Sequence, residues 1–189
     1  MDYVIRRVRA DEWRELRALR LAALADPVAD VAFGETYAAA AGSPDEVWRQ
    51  RALDGAESAR SATFVGDGSG RGGQLAGMMV VVLEERQASL FGVYVRREHR
   101  GRELAGLLLE RAGDWAWGRT GTERLVLHVH ERNERARAFY ENRGFRATGR
   151  TQAHRGPAGG VVWEMAARVP SGFDGSEKPG EEAETRAVH

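Results

Sequence analysis

The chain has 189 residues, 42% hydrophobic and 30% charged, with 28 basic residues balanced by 28 acidic ones. This composition predicts one globular domain, and zero net charge argues against a general nucleic-acid or membrane binder. Cysteine is absent, which excludes disulfides, a thiolate nucleophile and cysteine-based zinc sites. Since neither a signal-peptide core nor a membrane-length apolar run is present, we expect a cytoplasmic protein without nucleic-acid or membrane partners.

The first half of the chain predicts one strand and two helices before a run of strands. Residues 3–9 alternate as a strand does, and residues 11–24 carry apolar side chains at helical spacing. Ser43 suits the start of a second helix, expected over residues 44–56. Strands are then expected at 62–65, 74–84 and 88–96, with a glycine-rich hairpin tip at 66–73.

The second half alternates helices with strands and ends in a polar segment. Helices are expected at 102–119 and 133–142, and strands at 124–130, 145–152 and 161–168. This order predicts a mixed α/β domain with a central sheet of about seven strands. We place its end at residue 169, because residues 170–189 have the composition of a disordered tail.

A short basic loop precedes the helix expected at 102–119. Arg97, Arg100 and Arg102 give the loop positive charge, and the helix start exposes unpaired backbone N–H groups at the positive end of the dipole. Gly101 allows the backbone to approach a ligand closely. The loop therefore predicts a phosphate-binding site, and the alternative is an ordinary helix start with solvated arginines.

Two motifs in this order resemble the GCN5-related N-acetyltransferase (GNAT) superfamily. The signature Arg/Gln-x-x-Gly-x-Gly/Ala is matched at residues 100–105, with Glu103 in place of the usual glycine. The second signature is matched at Leu125, Leu127, Val129, Asn133, Ala136, Tyr140, Gly144 and Phe145. The resemblance implies the GNAT fold over residues 1–169, with the sheet splayed between its fourth and fifth strands and about four flanking helices. It also implies acetyl-CoA bound in the splay and an acceptor entering from the opposite side.

The resemblance implies which residues would hold acetyl-CoA. Main-chain groups of Val93, Tyr94 and Val95 would hold the pantetheine arm. The pyrophosphate would be held by the loop residues Arg100, Gly101, Arg102, Glu103, Leu104, Ala105 and Gly106. Because an inward carboxylate would oppose a pyrophosphate, we expect Glu103 to point away. Asn133 would contact the cofactor or bound water, cap the helix that follows it, or do both.

The resemblance also supplies catalytic candidates. Tyr140 would be the general acid, since a tyrosine hydroxyl is a neutral proton donor for the departing CoA thiolate; packing as a core aromatic is the alternative. His128 stands where some relatives carry glutamate, and an imidazole titrating near neutrality can take the ammonium proton. His130, and Glu84 or Glu85 acting through water, are the alternatives. The histidines show no metal-ligand spacing, so no metal is expected.

The acceptor residues are expected to be Phe33, Glu35 and Tyr37, because aromatic rings with one carboxylate can hold an amine; a loop anchored by Phe33 is the alternative. The predicted function is acetyl transfer from acetyl-CoA to a primary amine, first of all of a small molecule, by direct attack in a ternary complex. The alternatives are a protein N-terminal acetyltransferase, a non-catalytic acyl-CoA sensor or partner subunit, and a Rossmann-type nucleotide binder. Many relatives form homodimers, so a homodimer is compatible with the resemblance.

Overall fold

The computed structural model describes residues 3–68, 74–119 and 121–170. The strands in this part of the chain are β1 (Val4–Arg7), β2 (Ser61–Asp67), β3 (Leu75–Leu83), β4 (Gln87–Val95), β5 (Arg124–His130), β6 (Arg146–Ala153) and β7 (Val161–Arg168). The helices are α1 (Trp13–Leu24), α2 (Ala29–Ala32), α3 (Tyr37–Ala41), α4 (Asp45–Glu57), α5 (Leu104–Trp117) and α6 (Glu134–Glu141). A 3₁₀ turn, Arg97–His99, precedes α5.

Each strand and each of the four helices expected from the sequence has a counterpart in the structure. The short helices α2 and α3 are additions, in a segment for which we expected only a loop. The predicted tail beyond residue 170 and most of the hairpin tip, at 69–73, lie outside the described residues. None of the described helices is long and apolar enough to cross a membrane.

The strands form one mixed sheet in the order β1-β2-β3-β4-β5-β7-β6. Neighbouring strands are antiparallel except β4 and β5, which are parallel. The pairing of β4 with β5 covers residues 87–89 and 124–126 and does not continue along the rest of either strand. The strands therefore separate toward the C-terminal end of β4, which confirms the predicted splay and leaves an open split in the sheet.

Helices cover both faces of the sheet. On one face, α5 and α6 contribute Leu104, Leu108 and Tyr140 to a buried cluster. On the other face, α1 and α4 contribute Leu19 and Trp48 to a second cluster. The split between β4 and β5 therefore opens toward α5 and α6 on one side of the sheet and toward the α1 side on the other.

A β-bulge interrupts β4 beside the split. Val80 pairs with Phe91, and Met78 pairs with Tyr94, so β4 has one more residue than β3 between these two pairs. Gly92 lies in the bulge with φ = +57°, a left-handed conformation that costs glycine little because it has no Cβ. The bulge thus lies where β4 has already left β5.

Candidate active site

The predicted phosphate loop consists of the 3₁₀ turn and the start of α5. Gly101 has φ = +76°, and Glu103 is the N-cap residue of α5, exposed and without a side-chain capping hydrogen bond. Within the described parts of the chain, no protein acceptor binds the backbone N–H groups of Gly101, Glu103, Leu104, Ala105 or Gly106. These donors lie at the positive end of the α5 dipole, an arrangement that suits a phosphate group.

Arg100 connects this loop to the segment after α1 and to the end of β4. Its guanidinium forms an ion pair with Asp26, whose side chain is only 6% exposed, and its Nε donates to the carbonyl oxygen of Val95 at 3.0 Å. The guanidinium also lies 5.6 Å from the ring centroid of Tyr94. The side chain is thus engaged within the protein, and its predicted contact with a phosphate stays a prediction.

The phosphate loop and the end of α6 adjoin, so the two sequence motifs meet in space. A Cβ placed on Gly106 would lie 2.8 Å from Nη2 of Arg143, which excludes a larger residue unless the guanidinium moves. Arg143 in turn stacks on Phe139, with its guanidinium carbon 4.0 Å from the ring centroid. Arg143 was not predicted from the sequence, although it is a basic residue inside the second motif.

Tyr140 projects from α6 into the core on the α5 side. Its side chain is 6% exposed, and its ring makes edge contacts with Phe139 and Phe145 at centroid distances of 5.0 and 5.5 Å. Burial raises the pKa of the hydroxyl well above its ordinary value, so the group keeps its proton throughout the neutral range. The side chain therefore packs as a core aromatic while retaining a proton that it can donate.

Asn133 caps α6. Its side-chain oxygen accepts a hydrogen bond from the backbone N–H of Ala136 at 3.2 Å. This contact is the capping role that the sequence left open, and it fixes the start of the helix that carries Tyr140. A contact between Asn133 and a cofactor stays a prediction.

His128 lies on the α1 side of β5, just beyond the part of the strand that pairs with β4. Leu127 and Val129 belong to the cluster on the α5 side, so the alternation of β5 turns His128 the other way. The side chain is exposed, and Glu164 of β7 is its partner in register. His128 is therefore available to a molecule that enters the split from the α1 side.

His130 lies on the same face but is only 2% exposed. Its Nδ1 accepts a hydrogen bond from the backbone N–H of Arg132 at 3.1 Å, and its Nε2 lies 2.7 Å from the carbonyl oxygen of Gly159, to which it must donate. Both ring nitrogens are thus engaged, with no lone pair free to take a proton. The geometry makes His130 a structural residue and disfavours it as the base.

Glu84 and Glu85 lie in the turn between β3 and β4, at the closed end of the split. Glu84 accepts hydrogen bonds from Ser89 Oγ at 2.6 Å and from Gln87 Nε2 at 2.8 Å. Since β4 and β5 are still paired at this end, neither glutamate borders the opening, and we disfavour both as bases. No group of three or more His, Asp or Glu side chains in the described residues could hold a metal ion.

The predicted acceptor residues lie on the α1 side. Phe33 is buried, and the guanidinium carbon of Arg20 lies 4.5 Å from its ring centroid. Glu35 binds Arg20 and Arg51, each at 3.0 Å. Burial by itself would raise the pKa of Glu35, but the hydrogen bonds and charges of the two arginines lower it below its usual value. Tyr37 begins α3 and is 48% exposed.

The turn between β6 and β7 contacts residues 29–37, which include α2 and the predicted acceptor residues and are called the acceptor segment below. Nε2 of His154 lies 2.8 Å from the carbonyl oxygen of Asp30, and a Cβ on Gly156 would lie 2.4 Å from the carbonyl oxygen of Phe33. Helix α2 itself contacts β5. The acceptor segment therefore covers the same face of the split that His128 borders.

Phe91 borders the split from the β4 side. The pairing of β4 with β5 ends at Ser89 and Val126. Phe91 lies two residues beyond Ser89 on β4, and His128 lies two residues beyond Val126 on β5, so the two occupy corresponding positions on either side of the split. The side chain of Phe91 is 49% exposed although it is large and apolar. Phe91 and Arg20 were missed from the sequence, because a phenylalanine in a strand and an arginine in a helix carry no motif.

The model of the acetyltransferase (GNAT) family matches residues 26–145. The chain belongs to this family. Its seven-stranded mixed sheet with one parallel pair is the GNAT fold. No curated protein matches the chain significantly.

Solved GNAT structures share this fold at low sequence identity. A GNAT-family acetyltransferase from Streptococcus pneumoniae superposes with a TM-score of 0.74 at 21% identity, over 89% of this chain and 100% of that one. The PaiA N-acetyltransferase of Thermoplasma acidophilum, in complex with coenzyme A, gives a TM-score of 0.72 at 15% identity, with the same shares covered. The ribosomal-protein-S18-alanine N-acetyltransferase of Escherichia coli gives 0.64 at 18% identity, over 97% of this chain and 100% of that one.

The candidate residues of this GNAT acetyltransferase thus divide between the two sides of the split. The free N–H groups of the phosphate loop adjoin the end of α6, and Tyr140 packs on the same side. His128, Phe91 and the acceptor segment lie on the α1 side. Two reactants could therefore approach the split from opposite faces.

Proposed function

We propose that this GNAT acetyltransferase transfers an acetyl group from acetyl-CoA to a primary amine of a small molecule. The observation that carries the proposal is the split between β4 and β5, with free phosphate-binding donors on one side and an exposed histidine on the other. The coenzyme A bound to the PaiA enzyme supports the choice of cofactor.

The residues present fit coenzyme A. The free N–H groups at the start of α5 suit its pyrophosphate. Val93, Tyr94 and Val95 lie beyond the part of β4 that pairs with β5. Apart from the carbonyl oxygen of Val95, which Arg100 binds, their main-chain groups on this side are available to an extended pantetheine arm. The exposed position of Glu103 supports the expectation that its carboxylate turns to solvent.

The proposed reaction places one proton transfer to or from a side chain on each side of the split. His128 takes a proton from the ammonium group, and the free amine attacks the thioester carbonyl, forming the C–N bond. The attacking nitrogen then loses its second proton to solvent, the C–S bond breaks, and Tyr140 donates its proton to the departing thiolate. Tyr140 recovers a proton from solvent, and holding both reactants in the split supplies much of the rate.

A small acceptor is favoured over a protein terminus. The acceptor segment lies on the same side of the sheet as His128. It is held in place by the ion pairs of Glu35 with two arginines and by the β6–β7 turn, which gives the approach to His128 one fixed side. Glutamate, which some ribosomal-protein acetyltransferases carry at the position of His128, is absent. The cytoplasmic location, the homodimer and the lack of nucleic-acid and membrane partners stay predictions.

The proposal is tested by following release of the CoA thiol from acetyl-CoA in the presence of a panel of small amines and N-terminal peptides. We expect saturable turnover with small amines, confirmed by mass spectrometry of the N-acetyl product. Turnover with peptides alone would favour the protein acetyltransferase. Acetyl-CoA binding without turnover of any acceptor would favour the non-catalytic sensor.

Replacing His128 by alanine should flatten the rise of kcat/KM between about pH 6 and 8, because an imidazole base must lose its proton before it can act. The measurement is kcat/KM against pH for His128→Ala beside the parent enzyme. An unchanged profile would transfer the base role to water or to another residue.

His130→Gln is the matched control from the same strand face. Because both nitrogens of His130 bind backbone groups, this change should lower Tm but preserve the shape of the pH profile. A flattened profile in the control alone would reverse the roles that the structure gives the two histidines.

A further inference from the structure

The guanidinium of Arg20 carries a donor that the protein leaves unused. Its Nε and Nη2 both bind Oε2 of Glu35, at 3.1 and 3.0 Å. Its Nη1 is fully buried and has no hydrogen-bond partner in the described residues. A buried donor without an acceptor lowers the stability of a folded protein and is uncommon. We therefore expect Nη1 to bind an acceptor supplied by a ligand.

The unused donor lies beside the split. A Cβ placed on Gly92 would lie 4.0 Å from Nη1 of Arg20, so the guanidinium reaches the bulge of β4. The bulge lies beyond the point at which β4 and β5 separate, on the face that Phe91 and His128 also border. Since Phe33 and Glu35 occupy two other sides of the guanidinium, the split is the direction from which a new acceptor can arrive.

The charges of this region favour an anion over a second cation. Glu35, expected from the sequence to hold an amine, is already bound by Arg20 and Arg51. Its two oxygens are engaged by two cations, which leaves an excess positive charge in this group of three residues. An ammonium group would find no free carboxylate oxygen here. A carboxylate would be attracted by the net positive charge and would accept a hydrogen bond from Nη1 of Arg20.

We propose that the acceptor is an amine that also carries a carboxylate, held by Nη1 of Arg20 so that its amino group faces His128. Amino acids and their close derivatives are the class with this chemistry. This inference rests on the proposed function and narrows it to a substrate class. Arg20 becomes a substrate-binding residue, and Glu35 becomes the residue that orients it.

The first test uses the parent enzyme and matched acceptors. Phenylalanine, leucine and lysine are each compared with their carboxamides and with the corresponding decarboxylated amines, alongside β-alanine and 4-aminobutyrate, which place the two groups further apart. We expect kcat/KM, corrected for the fraction of free amine, to be about 10- to 100-fold higher for at least one carboxylate than for its neutral counterparts. Equal or faster turnover of the neutral amines overturns the inference while leaving the acetyltransferase intact.

The second test changes the arginine. Arg20→Gln should reduce the preference for the carboxylate to about threefold or less, because the unused charged donor is lost. Since this change also removes an ion pair and can destabilise the fold, Arg20→Lys is measured beside it. Lysine keeps a charge for Glu35 but lacks the forked donors, so the preference should again fall.

Arg51→Gln is the matched control, because Arg51 binds the other oxygen of Glu35. The control removes the excess charge but keeps Nη1 of Arg20, so it should retain more of the preference than either Arg20 variant, whatever its absolute rate. Retention in both Arg20 variants, or loss in Arg51→Gln alone, overturns the assignment. Acetyl-CoA binding is measured in each protein: binding without turnover of any carboxylate overturns this inference, and no binding in the parent enzyme overturns the proposed function itself.

Discussion

Tyr140→Phe should lower kcat by about 10²- to 10⁴-fold, the usual contribution of a positioned acid. The change removes one hydroxyl from a ring that is 6% exposed and keeps its packing against Phe139 and Phe145. Acetyl-CoA affinity should stay within about threefold of the parent value, because the lost proton transfer matters only in the transition state. Steady-state kinetics and calorimetric binding measure the two quantities separately.

The pH dependence of kcat gives a second test of Tyr140 as the acid. Burial raises the pKa of Tyr140, so the acid form is complete at neutral pH and is lost only above the ordinary range of a tyrosine. The parent enzyme should therefore show no alkaline fall in kcat from this group up to about pH 9.5. Phe139→Leu, which removes a contacting ring, is the packing control and should affect Tm more than kcat. Full turnover of Tyr140→Phe at every pH would show that the acid is another group or solvent.

Arg100→Met should destabilise the protein by about 1–3 kcal/mol, because removing one partner of this partly buried ion pair leaves the carboxylate of Asp26 unpaired. The side chain of Asp26 is 6% exposed, and Arg100 also binds the carbonyl oxygen of Val95. Urea unfolding followed by tryptophan fluorescence measures the loss. Arg97→Met, an exposed position in the same loop, should change stability by less than about 0.5 kcal/mol.

A double variant distinguishes a structural role of Arg100, through its ion pair with Asp26, from a role in phosphate binding. In Asp26→Leu with Arg100→Met both charges are removed, so much of the lost stability should return. If Arg100 only fastens the loop, this double variant binds acetyl-CoA about as well as the parent. A large loss of affinity in a stable double variant would restore the role in phosphate binding that the sequence suggested for Arg100.

The fold was predictable where the sequence carries long periodic signals or spaced motifs. Helix α1 was expected because its buried residues recur at helical spacing, and the start of α5 was expected from a basic loop next to a glycine. The short helices α2 and α3 were not, because four or five residues are too few to show a helical period. The splay between β4 and β5 came from the family resemblance, since no local pattern marks where two strands part.

Parts of the candidate site were predictable from the sequence only where one side chain by itself suggests a catalytic role. Tyr140 and His128 were predicted as catalytic candidates from the second motif and from strand alternation, and both stay candidates. The separate roles of His128 and His130 depend on which one meets a distant carbonyl group, that of Gly159. The pairing of Arg20 with Glu35 joins α1 to the segment before α3, and only the folded chain shows it.

The central claim, that this GNAT acetyltransferase uses its phosphate loop to bind acetyl-CoA, is tested most directly by calorimetric titration with acetyl-CoA, with free CoA and NAD as controls. Glu103→Gly, which restores the residue usual in the family, is titrated in parallel. We predict micromolar binding of acetyl-CoA and CoA, no binding of NAD, and affinities for the parent and Glu103→Gly that agree within about threefold, since an exposed carboxylate turned to solvent opposes the phosphates weakly. Absence of acetyl-CoA binding in the parent, with binding restored in Glu103→Gly, would show that Glu103 disables the loop and would contradict the account.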